Sequence, residues 1–89
     1  MKITVKKSVD QEIELPEFPF YLVGDGCAYR MIDEHTCLAV TNYTWPNILA
    51  NYSSEIAIEK LSKGEVELSN EGTFAELYKI VLTKIEENL

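Results

Sequence analysis

Hydrophobic and polar side chains alternate from the start of the chain. Ile3 and Val5 are interleaved with Lys2, Thr4 and Lys6, the period of a strand with one buried face. Glu12-Ile13-Glu14-Leu15 repeats the pattern beyond a turn expected at Ser8-Val9-Asp10-Gln11. Residues 2–15 therefore read as a hairpin with Ile3, Val5, Ile13 and Leu15 inward. Pro16 and Pro19 lack a backbone donor and end that ladder. Phe20-Tyr21-Leu22-Val23 is aromatic and β-branched enough for a third strand, closed by Gly24-Asp25-Gly26. Strands four and five are expected at 27–32 and 36–43, joined by a turn at Asp33-Glu34-His35. One face of the fourth carries Tyr29 and Met31, the other Ala28, Arg30 and Ile32. The fifth divides Leu38 and Val40 from Cys37, Ala39, Thr41 and Tyr43. Three consecutive antiparallel strands make a meander.

Residues 44–61 carry two competing patterns. Thr44-Trp45-Pro46 suits a helix start with Ile48, Leu49 and Tyr52 on one side, but Ser53-Ser54 interrupts it, and Glu55-Ile56-Ala57-Ile58-Glu59 alternates like a strand. The preferred assignment is a loop or short helix at 46–52, then a strand near 55–60. The last element is a helix. Thr73 and Glu76 fit a capping box, with Ser69 or Asn70 as alternative caps one turn earlier. Phe74, Leu77, Tyr78, Val81 and Ile85 recur at helical spacing; Ile80 and Leu82 widen that stripe, and part of the excess suits a partner.

The fold class expected is α+β: an antiparallel sheet of about five strands with the C-terminal amphipathic helix packed on one face. A single domain spans 1–89. The sheet's other face is left to water or, if covered, to a second copy in a homo-oligomer.

Charge narrows the partners. Fifteen acids against eight bases give a net charge of −7, the wrong sign for direct nucleic-acid binding through phosphates. The longest stretch without Asp, Glu, Lys or Arg, residues 35–54, holds too many Asn, Ser and Thr for a membrane span. Charges return early enough at the N-terminus that no secretory leader is expected. Cys27 and Cys37 fall opposite Thr41 or Asn42 and Met31 or Ile32 respectively, several residue pairs apart. They read as free thiols of a cytoplasmic protein.

Catalytic chemistry has thin support. His35 is the one histidine, and with Asp33, Glu34 and Cys37 it would make only a loose metal site; a solvated turn histidine is the plainer reading. Cysteines on an apolar strand face are usually small core residues. Gly24-Asp25-Gly26 lacks the lysine and strand-to-helix setting of a phosphate loop. No cofactor and no metal are expected, and the chain reads as non-enzymatic; the contrasting reading is a small-ligand binder or minor enzyme around His35 and a cysteine.

Binding has more. Tyr43, Trp45 and Tyr52 lie in the charge-free stretch among Asn42, Asn47 and Asn51, a composition typical of protein interfaces. Tyr43, Trp45, Asn47 and Tyr52 are the candidate partner-binding residues; alternatively, Trp45 and Tyr52 plug the edge of a small core. Glu12, Glu14 and Glu17, and again Glu65, Glu67 and Glu71, form acidic rows. Such a row imitates a nucleic-acid backbone toward a basic host protein, although most acidic strand faces are simply solvated.

The arrangement Ile13-Glu14-Leu15-Pro16, Phe20-Tyr21, Gly24-Asp25-Gly26 and Tyr29-Arg30-Met31-Ile32-Asp33-Glu34, followed by an acidic amphipathic helix, resembles small uncharacterised proteins of phages and bacterial mobile elements. The resemblance implies a cytoplasmic accessory protein acting on a host protein and supplies no site residues.

Overall fold

The computed structural model of the protein describes residues 2–6 and 9–88. Among these residues, seven strands and two helices follow in the order β1 (Lys2–Val5), β2 (Gln11–Glu14), β3 (Phe20–Gly24), β4 (Cys27–Met31), β5 (Thr36–Asn42), β6 (Pro46–Ser53), α1 (Ser54–Ser62), β7 (Val66–Ser69) and α2 (Glu71–Glu87). The fold is α+β, with an antiparallel five-stranded sheet in the order β6-β5-β4-β3-β7 and the C-terminal helix packed across it.

The first hairpin forms as expected, with Ile3 opposite Ile13, but it stands apart as a two-stranded sheet. The turn expected at Ser8–Gln11 falls partly outside the described residues, at Ser8, and Gln11 already belongs to β2. Val5 and Leu15 are buried, and Ile3 and Ile13 pack against the main core. The hairpin lies along α1, where the Lys6 N–H donates to the Ser62 carbonyl at 2.7 Å.

The central meander keeps the expected faces and takes one of the two registers left open by the turn. Cys27 pairs with Thr41 and Met31 with Cys37, so the two buried thiols are free and well separated. Cys27, Tyr29, Met31, Cys37 and Ala39 face one core, shared with Ala57 and Leu61 of α1. Ala28 and Val40 face the other, shared with Phe74 and Val81 of α2. Burying such side chains contributes roughly 1.5–3 kcal/mol each for the larger aliphatics.

Three expectations require correction. Residues 46–53 form edge strand β6, not a loop or helix, and 54–62 form α1, not a strand. Pro46 suits the first position of an edge strand, where a missing N–H costs no ladder bond. Ser53, read as an interruption, is the N-cap of α1, its side chain accepting from the Ile56 N–H. Ala57 and Leu61, four apart, then bury one helical stripe. The sheet face left to water or a second copy is instead covered within the chain by α1 and the hairpin.

Helix α2 starts one turn before Thr73. Asn70 is its N-cap, accepting from the Thr73 N–H at 2.9 Å. An earlier cap lets Glu71 sit in the first turn, where the helix dipole favours a carboxylate. Phe74 and Val81 are buried against the sheet, Ile80 and Leu82 are exposed, and Lys84 Nζ donates to Asn42 Oδ1 at 3.1 Å. No helix among the described residues is long and apolar enough to cross a membrane.

Candidate functional site

The β5–β6 connection carries the two most exposed aromatic side chains among the described residues, Tyr43 and Trp45. Asn47 pairs with Thr41, Leu49 with Ala39 and Tyr52 with Cys37, which puts all three on the sheet face that α1 covers. Tyr43 belongs to the same face, because its ring lies against Gly26 and its hydroxyl shares a hydrogen bond with the Cys27 thiol. That bond, and then partial burial, pushes the Tyr43 hydroxyl up to about 12. Gly26 fills the second position of the β3–β4 turn with φ +73°, a value that favours glycine.

The candidate residues separate along this face. Trp45 is 78% exposed and Tyr43 59%, so both rings are largely offered to solvent at the turn. Asn47 is exposed beside them. Tyr52 lies at the other end of β6, half-buried, its ring centroid 5.7 Å from that of buried Tyr29. Tyr52 thus plugs the core, as the alternative reading had it, and Trp45 does not. Leu49, 42% exposed, extends the corner and was absent from the sequence-based set; its position in the charge-free stretch was the available signal.

The acids divide differently. Glu12 and Glu14 lie on the exposed side of β2, where Lys2 pairs with Glu14 and its Nζ lies 3.8 Å from Glu12 Oε1. The hairpin row is therefore interrupted by a cation. Glu65 precedes β7 and Glu67 lies within it, opposite Val23, while Glu17 follows the hairpin on the way to β3.

Glu17 borders a second feature, a groove of about 790 Å³ between the residues 14–20 connector and the start of α1. Its walls include Leu15, Pro16, Phe18, Phe20 and Ile58, and the carboxylates of Glu14, Glu17, Glu34 and Glu55 line it with His35. No thiol joins the imidazole there. Cys37 is fully buried beside Ser54, and burial pushes its thiol up to about 11. Cys27 lies beneath Tyr43. The pairing of His35 with a cysteine that a small-ligand or catalytic reading needs is not assembled in this cavity, and no three His, Cys, Asp or Glu side chains among the described residues are placed to hold a metal ion together. The groove was not anticipated because its walls come from three separate stretches of sequence; the one available signal was Phe18, an aromatic side chain between two prolines and outside any strand.

Compared with known proteins, the chain matches no family model, no curated protein and no solved structure.

Proposed function

We propose that this protein is a small acidic, non-enzymatic binding module acting through protein–protein contact at the Tyr43–Trp45 corner. The observation that carries the reading is the 78% exposure of Trp45 within a stretch that lacks charge in a chain of net charge −7. Large rigid rings desolvate at low entropic cost, and a central interface Trp commonly contributes about 2 kcal/mol or more. The surrounding carboxylates steer a cationic partner toward that neutral corner.

Two buried free thiols suit a reducing cytoplasm. In that setting the reading is of an accessory protein of phage or mobile-element type that engages a host protein. The test is capture from a lysate of the source organism on immobilised wild type and on Trp45→Ala. A discrete protein retained by the first and lost from the second, with both proteins folded, is the expected outcome. The same proteins on both, or none on either, would overturn it.

A further inference from the structure

We propose that the groove between the residues 14–20 connector and α1 binds a basic peptide segment, seating one apolar side chain between flanking arginines. This site is independent of the Tyr43–Trp45 corner. The groove adjoins the β4–β5 turn, whereas the corner is the β5–β6 turn, roughly 20 Å away along β5.

The floor and rim call for opposite chemistries in one ligand. Phe20 is buried and Ile58 half-buried, but Phe18 is 38% exposed, its ring centroid 5.1 Å from that of Phe20. One member of an aromatic pair is thus presented to the groove, a surface for an apolar side chain or a stacked guanidinium. Glu17, Glu34 and Glu55 stand exposed around it, and among the described residues no lysine or arginine lines the cavity. An uncharged apolar ligand would desolvate those carboxylates without pairing them, and a phosphate ligand would be repelled. A bare polycation would satisfy the rim and leave the rings wet. A peptide with arginines on both sides of a phenylalanine satisfies both, and about 790 Å³ falls within the range of ligand-sized cavities.

The probe is a fluorescein-labelled peptide, Gly-Arg-Arg-Phe-Arg-Arg-Gly, titrated with the full chain at physiological salt and followed by anisotropy. Saturable one-to-one binding is expected. Replacing the peptide's phenylalanine by alanine, or introducing Phe18→Ala, should weaken it at least tenfold. The combined Glu17→Gln, Glu34→Gln and Glu55→Gln variant should do the same while melting as the wild type does. Trp45→Ala and the distant pair Glu86→Gln and Glu87→Gln should bind as wild type, so failure at this groove is separable from failure at the corner. Absence of binding, equal binding of the alanine peptide, displacement by equimolar spermine, or equal weakening by the Glu86/Glu87 pair would each overturn the proposal.

Discussion

Ser54 Oγ donates to the Asp33 carbonyl oxygen at 2.8 Å across 21 residues of sequence, and the Ser54 N–H reaches the His35 carbonyl at 3.2 Å. The first residue of α1 is thereby tied to the β4–β5 turn, and two of the groove's three contributing stretches, Glu34 with His35 and Glu55 with Ile58, are held together. Ser54 is completely buried. Ser54→Ala should therefore lower stability by about 1–3 kcal/mol, since it leaves a partly buried carbonyl without its donor. A lower urea midpoint with unchanged slope is the expected reading; an unchanged midpoint would show that the tie contributes nothing.

The same turn makes an acid-sensitive contact. Asp33 Oδ1 accepts from the His35 N–H at 2.7 Å and the Thr36 N–H at 2.8 Å, and these bonds hold its carboxyl below the ordinary value of 3.8. A folded-state value below the unfolded one stabilises the fold above the unfolded value and ceases to do so as pH falls through the folded one. Carbon-detected NMR should find Asp33 titrating below 3.8. Asp33→Asn should be less stable than wild type at neutral pH, with the gap closing in acid. A gap that stays constant with pH would rule the carboxylate contact out.

At the other extreme, Cys37 is pushed up to about 11 by burial, from an ordinary 9.0. Because the folded value is the higher one, this thiol favours the folded state fully below pH 9. The contribution is lost as pH rises from there through 11. Burial likewise raises the Tyr29 hydroxyl, with a smaller effect of the neighbouring Cys27, so alkaline unfolding has more than one source. Denaturant midpoints measured from pH 8 to 11 should fall, and Cys37→Ala should flatten part of that slope despite its lower starting stability. An identical slope in both proteins would contradict the assignment.

Gly26 supports Tyr43 directly. A Cβ there would lie 3.1 Å from Tyr43 Cε1, and its φ of +73° strains any L side chain. Gly26→Ala should cost about 1–2 kcal/mol through the backbone alone and turn the Tyr43 ring away from Cys27. Tyr43 ring resonances should move in proton NMR; an unperturbed ring with unchanged stability would show that the turn tolerates a side chain.

Local pattern was sufficient where both neighbours of a strand were supplied by short turns. Period-two alternation and the Asp33–His35 turn narrowed β4 and β5 to two neighbouring registers and fixed the division of Tyr29, Met31, Cys37 and Val40 between the faces of their own strands; the structure takes the register that pairs Cys27 with Thr41. It failed at 46–60, where neither element shows its own period. The edge strand β6 is half-exposed and irregular in its pairing with β5 between Cys37 and Ala39, which breaks its alternation. In α1 the residues Ile56, Ala57 and Ile58 alternate in size like a strand, although only Ala57 of the three is buried. The exposed Tyr43–Trp45 corner could be read from aromatic side chains in a charge-free turn. That Tyr52 belongs to the core depended on its register opposite Cys37, which sequence alone did not fix.

Trp45 is the sole tryptophan, so 5-fluorotryptophan labelling reports on the proposed contact without ambiguity. Its ¹⁹F resonance, followed while lysate of the source organism is added, should shift and broaden. Excess unlabelled wild type should reverse the change, and excess Trp45→Ala should not. A line that keeps its position and width throughout would contradict contact at this corner.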